Sequence, residues 1–212
     1  MKDRLIKSAG FTLVEMLVII GIIGILASAL VSGAGHMKRV AERTKAQRAV
    51  DDVKVALNLY LQSEREWHDI LIDRLETDYD VSKILARSKL LDLVVPDDPA
   101  TSTSLDRFGF LDEWGRKALR RNPNITGATQ RGEDGIAISD HRIQFRLDAN
   151  YDGYIDAGEG SPNGLRIRGS VIVWSRGPDG QDDFSSSNPK ARQRYPYDDI
   201  ISWEHAKVMA DQ

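Results

Sequence analysis

Cysteine is absent from the 212 residues. That excludes disulfides, thiolate nucleophiles and Cys-based zinc sites together. A modest domain outside the cytoplasm would then need a different staple, and a metal ion is the obvious substitute. An excess of positive charge is lacking too: the net charge is −3, from 29 Lys and Arg against 32 Asp and Glu. No global basic field draws the chain to nucleic acid. The four histidines, His36, His68, His141 and His205, show no metal-ligand spacing. H-E-x-x-H, G-x-S-x-G, the P-loop and G-x-G-x-x-G are missing as well, so the expectation is a protein that is not an enzyme. Finally, Lys and Arg are absent from Phe11 to Gly35, where Glu15 is the only acid.

What fills that uncharged stretch is apolar. Leu13–Val31 is dominated by Leu, Val, Ile, Ala and Gly. About 20 such residues match the ~30 Å hydrocarbon core of a bilayer. Lys2, Arg4 and Lys7 precede it, so the positive-inside bias places residues 1–9 in the cytoplasm and the rest outside. A cleaved secretory signal is the competing reading. It fits poorly, because the run is too long and no small-x-small cleavage site closes it cleanly before Lys38. A carboxylate within such a span costs about 2.5–3.5 kcal/mol on insertion scales, so Glu15 is expected to have a task and a partner. It points to assembly rather than catalysis.

From Lys38 to about Ser63 there is no Pro or Gly. Val50, Val53, Leu57 and Tyr60 recur at three- and four-residue spacing and form one apolar stripe. Arg43, Lys45, Arg48, Asp52 and Lys54 take the other faces. The pattern predicts one long helix, membrane-buried over 11–35 and amphipathic over 36–66. Residues 67–140 form a mixed region, with a predicted helix over Val81–Val95 that Pro96 to Pro99 ends. Arg120–Gly135 is polar and Gly-containing and reads as loop.

In residues 141–212, Ile143, Phe145 and Leu147 alternate with Arg142, Gln144 and Arg146, as in a half-buried strand. Leu165, Ile167, Val171 and Val173 continue the pattern, with Arg166 and Arg168 outward, and Ile200–Trp203 is a short last strand. The expected class is α+β, a long helix packed on an antiparallel sheet.

Between the first two strands lie Asp148, Asn150, Asp152, Gly153, Tyr154, Asp156 and Glu159. They fill the calcium-loop pattern D-x-[DN]-x-[DN]-G-x5-E. Asp148, Asn150 and Asp152 offer side-chain oxygens and Gly153 makes the sharp turn. Tyr154 gives its carbonyl, Asp156 binds directly or through water, and Glu159 could bind through both oxygens. Flanking helices are missing, so this is a calcium loop inside a β-connection. The bland reading is an acidic solvated turn.

Lys7-Ser8-Ala9-Gly10-Phe11-Thr12-Leu13-Val14-Glu15 resembles the class III signal of type IV pilins and type II secretion pseudopilins. The resemblance implies a cleaved leader over residues 1–10, cut by prepilin peptidase between Gly10 and Phe11. It implies N-methylation of Phe11 and pairing of Glu15 with the N-terminal amine of a neighbouring subunit. Leaving either charge alone in low dielectric would cost several kcal/mol. Ser32 stands where many members carry proline, and Gly33 and Gly35 follow. Glycine weakens a helix by ~1 kcal/mol relative to Ala without breaking it.

Further along, Leu111-Asp112-Glu113-Trp114-Gly115-Arg116 resembles a pseudopilin D-P-W-G-N segment, with Glu113 in place of proline, and implies that Trp114 packs on the long helix. Ser175-Arg176-Gly177-Pro178-Asp179-Gly180 and Asp198-Asp199-Ile200-Ile201-Ser202-Trp203 resemble the S-x-G-P-D-G and D-D-I-x-x-W elements of major pseudopilins. They imply a second calcium site at Asp179, Asp198 and Asp199, with backbone oxygens nearby such as that of Ser175. Asp182 and Asp183 lengthen the connecting loop.

The implied protein has a pilin fold and one inner-membrane span, with its C-terminal domain in the periplasm. Its partners would be its own copies in a helical filament, other pseudopilins, prepilin peptidase and an inner-membrane assembly platform. A type IV pilus or DNA-uptake subunit is the nearest alternative. An anchored periplasmic binding protein or enzyme using the signal only for export is the other.

Overall fold

A computed structural model describes residues 12–87, 105–161, 166–181, 199–202 and 208–209. Two compact units divide the chain, Met1–Ala41 and Glu42–Gln212.

A single helix, α1 (Leu13–Glu64), supplies all the described structure of the first unit and opens the second. In the first unit the described side chains from Thr12 to Ser28 are all exposed. Leu13, Ile20 and Ile25 each expose more than two thirds of their area. A Cβ added at Gly21 or Gly24 would meet nothing within 4 Å. This part of the helix buries no face within its own unit.

In the second unit α1 is amphipathic. Val50, Val53 and Leu57 are fully buried and Tyr60 nearly so, as their spacing predicts. They face a three-stranded antiparallel sheet of β1 (Gln144–Leu147), β4 (Val171–Ser175) and β5 (Ile200–Ile201), in the order β1-β4-β5. Phe145 lies opposite Val173 and Leu147 opposite Val171. These four belong to the same apolar cluster as the α1 stripe.

The sheet is not half-buried, as the alternation at 142–147 suggests, because a second layer covers its other face. That layer is β2 (Tyr154–Ile155), β3 (Arg166–Arg168) and β6 (Val208–Met209), in the order β2-β3-β6. Ile172 and Trp174 on the far face of β4 join Ile155 and Ile167 in a second apolar cluster. Every residue of β4 is buried in consequence. Gln144 is buried too, and the Arg146 guanidinium covers the Trp174 ring at 4.9 Å. Arg166 and Arg168 do point outward. Leu165, Asp182, Asp183 and Trp203 lie outside the described residues.

Three short helices connect α1 to the sheets. α2 (Asp69–Asp73) starts at His68, whose Nδ1 accepts the Ile70 N–H at 3.1 Å. α3 (Tyr79–Arg87) covers the first residues of the helix predicted over Val81–Val95; residues 88–104 lie outside the described ones. α4 (Glu113–Arg121) occupies a segment read as a packing motif running into loop. Asp112 caps it by accepting the Gly115 N–H at 2.9 Å, and Arg120 and Arg121 suit its negative C-terminal end. Its buried residues are only Gly115, Ala118 and Leu119. Lys117 fastens it to Glu42 of α1 at 2.6 Å, and Glu113 meets Lys45 at 3.4 Å. Trp114 is partly buried against the main cluster.

Candidate functional site

Glu15 sits in the first turn of α1. Its Oε2 accepts the Thr12 backbone N–H and the Thr12 hydroxyl, each at 2.8 Å, while the Glu15 N–H donates to Thr12 Oγ1 at 3.3 Å. This is a reciprocal capping box. The box is spelled in the sequence as Thr-x-x-Glu at the head of the apolar run. The cap satisfies the helix start locally and leaves the carboxylate exposed. Gly10 and Phe11 lie outside the described residues. Among the described residues no helix is long and apolar enough to cross a membrane. Described side chains in the apolar stretch end at Ser28 and resume at Gly35.

The acidic loop begins where β1 ends. Asp148 is 3 % exposed, and its two oxygens accept the N–H groups of Asp152 at 3.1 Å and Gly153 at 2.8 Å. Asn150 accepts the same Asp152 N–H at 2.9 Å, and Asp152 accepts that of Tyr154 at 2.8 Å. Gly153 has φ +85°, a turn that a side chain would strain. Asp156 caps a 3-10 turn, Ala157–Glu159, by accepting the Gly158 N–H at 2.8 Å. Glu159 reaches back across the loop to the N–H groups of Ala149 at 2.7 Å and Asn150 at 3.2 Å. Tyr154 lies in β2, with its ring 4.0 Å from the Arg166 guanidinium.

All six residues therefore frame one loop. Their carboxylates are engaged by backbone N–H groups, and among the described residues no group of three or more His, Asp or Glu converges closely enough to hold a metal ion. The donor chemistry is uniformly oxygen, which suits a hard cation.

The second set is more dispersed in role. Ser175 is fully buried and its hydroxyl donates to Asp112 Oδ2 at 2.6 Å. Asp179 ends a 3-10 turn, Gly177–Asp179, and accepts the Gln181 N–H at 2.8 Å. Asp199 is buried just before β5. Asp198 lies outside the described residues. Asp112 is the residue that sequence reasoning passed over here. It is fully buried, caps α4 and holds Ser175 at once.

The start of α1 is where comparison with known proteins bears. Residues 6–31 match the prokaryotic N-terminal methylation motif. The methylation motif supports a type IV pilin-like N-terminal segment, and it covers a small share of the chain. It contains Gly10, Phe11, Glu15 and most of the exposed apolar face of α1. No curated protein and no solved structure matches the chain.

Proposed function

We propose that the chain is a pseudopilin, a structural subunit of a periplasmic filament that drives type II protein secretion, with no catalytic role. The methylation motif around Glu15 carries this reading. Prepilin peptidase would cut between Gly10 and Phe11 and methylate the new amine. The amine of one copy would then meet the Glu15 carboxylate of the next, two charges that low dielectric would otherwise penalise.

The unburied apolar face of α1 supports the same reading, since a stretch of that length needs lipid or other helices to cover it. The helix would span the inner membrane and present the second unit to the periplasm, beside other pseudopilins and above an assembly platform.

Calcium is the proposed staple of that unit, which contains no cysteine. Asp148, Asn150, Asp152, Asp156, Glu159 and the Tyr154 carbonyl would hold one ion. Each carboxylate oxygen that accepts an N–H keeps a lone pair for a cation. Asp179, Asp198, Asp199 and the Ser175 carbonyl would hold a second.

Imaging of cells that carry a labelled copy tests the function. Wild-type chain should appear in periplasmic filaments, and Glu15→Ala should insert in the membrane without entering them. A surface fibre would assign the chain to a pilus instead, and normal assembly of Glu15→Ala would sink the structural reading.

A further inference from the structure

The second unit contains a fully buried histidine that neither the filament nor the calcium reading uses. His141 ends a 3-10 turn, Ile138–His141, and is 0 % exposed. Its ring lies against the first turn of α4. A Cβ added at Gly115 would come within 2.6 Å of the His141 Cβ. The His141 carbonyl accepts the Asp112 N–H at 3.0 Å, so the backbone is pinned there as well.

Both ring nitrogens face carboxylates. Nδ1 is 3.6 Å from Asp112 Oδ1, and Nε2 is 3.7 Å from Asp134 Oδ2. Each separation is slightly beyond hydrogen-bond length, and among the described residues neither nitrogen has another partner. This arrangement constrains the protonation state by itself. A neutral imidazole has one donor and one acceptor nitrogen. Between two carboxylates it always turns one buried lone pair toward an anion. Only the imidazolium offers a donor to each side.

The charges around the ring agree. Asp112 approaches from the α4 cap, Asp134 from the turn at 132–135, and Asp140 from the histidine's own 3-10 turn. A cation, Arg176, stands on the outer side, 3.7 Å from Asp140. Burial disfavours the charged ring, but the nearby carboxylates of Asp112, Asp134 and Asp140, Asp112 foremost, outweigh it and hold the pKa above the ordinary 6.5.

We propose that His141 is a protonation-controlled latch. As an imidazolium it ties the Gly132–Ile136 turn, through Asp134, to the α4 cap at Asp112, and it frees that turn when it loses its proton. The turn's other bonds are largely local, among them Gly132 N–H to the Ile136 carbonyl at 2.8 Å, Gly135 N–H to the Gly132 carbonyl at 3.1 Å and Ile136 N–H to Asp134 Oδ1 at 3.0 Å. Release would travel. Ile136 packs so closely on Gly180 that a Cβ there would come within 2.5 Å of its Cγ2. Gly180 follows the 3-10 turn that contains Asp179. The latch thus couples ambient pH to the Gly177–Gly180 turn. It depends on the second unit's geometry alone and stands whether or not the chain forms filaments.

The test uses the full chain in detergent micelles with 15N-labelled histidine. Ring nitrogen shifts are followed from pH 5 to 9, with the His141 signals identified by their loss in His141→Gln. His141 should lose its second proton only above pH 6.5. Amide exchange at Asp134–Ile136, corrected for the intrinsic pH dependence, should accelerate about tenfold or more as the ring deprotonates. Asp134→Asn changes a partly exposed side chain and should fold. It should lower the pH at which His141 titrates and uncouple the turn's exchange from that titration. A ring already neutral at pH 6.5, exchange indifferent to its titration, or an unmoved titration in Asp134→Asn would each overturn the latch.

Discussion

The indole N–H of Trp67 donates to the backbone carbonyl of Asp148 at 3.0 Å. A residue three positions past the end of α1 thereby holds the residue just past β1. The Trp67 backbone N–H also donates to the Tyr151 hydroxyl at 2.8 Å, and its ring stacks on Tyr60 with centroids 6.4 Å apart. Trp67→Phe keeps a ring in place but removes the donor. A buried carbonyl left unpaired costs about 1–3 kcal/mol. In a unit of this size the melting temperature should fall by roughly 2–10 °C. Thermal denaturation checks this, and a loss within experimental error would mean the carbonyl finds another donor.

Stability should depend on pH through His141. Its pKa is raised in the folded chain above the ordinary 6.5. A group bound more tightly to its proton when folded stabilises fully below its unfolded pKa and loses that contribution as pH rises through the folded value. The wild-type chain should therefore melt higher than His141→Gln by a margin that is largest below about pH 6.5 and shrinks at more alkaline pH. Paired melting curves at several pH values measure it. A margin that stays constant would show that His141 contributes by packing alone.

How much of this was legible in the sequence depends on whether a residue's task is local or long-range. The α1 stripe at Val50, Val53, Leu57 and Tyr60 followed from spacing, and these residues are buried as the spacing implies. The turn at Gly153 followed from the loop pattern, and its φ is positive. α4 escaped because five of its nine residues are charged and its buried face is only Gly115, Ala118 and Leu119. What holds it is Lys117 on Glu42 and the Asp112 cap, and the former joins residues 75 apart in the chain. The second β-layer escaped for a related reason. Arg146 reads as solvent-facing, yet it covers Trp174 with its guanidinium, a contact that no alternation rule encodes. The setting of His141 comes from Asp112 and Asp134, neither of which is a sequence neighbour.

Calcium should act on the 148–159 loop by mass action. Binding to the folded chain alone would raise stability by about 2.7 kcal/mol when the free ion is a hundredfold above its dissociation constant. Asp148 is a poor lone probe, because its oxygens already hold the Asp152 and Gly153 N–H groups. Its loss would destabilise the chain with or without metal. Asp152→Asn is milder, since an amide oxygen can still accept the Tyr154 N–H. The expected result is a melting temperature that rises with calcium in the wild type and rises less in Asp152→Asn, with both equal in chelator. No rise in the wild type would leave Glu159 and Asp156 as turn caps and remove the metal.

Glu15 has two possible tasks, and a single substitution separates them. It closes a capping box with Thr12, and it is the proposed partner of a neighbouring chain's amine. Glutamine can close the same box, because the box requires only a side-chain oxygen at that position. It cannot neutralise an ammonium. Glu15→Gln should therefore keep the start of α1 and fail to enter filaments, as Glu15→Ala does. Thr12→Val should do the opposite. It would weaken the helix start by about 0.5–2 kcal/mol and leave the carboxylate available for assembly. Fractionation of cells into membrane and filament pools reads both variants side by side. If Glu15→Gln assembles as well as the wild type, the glutamate is a helix cap and the filament must take its register from elsewhere.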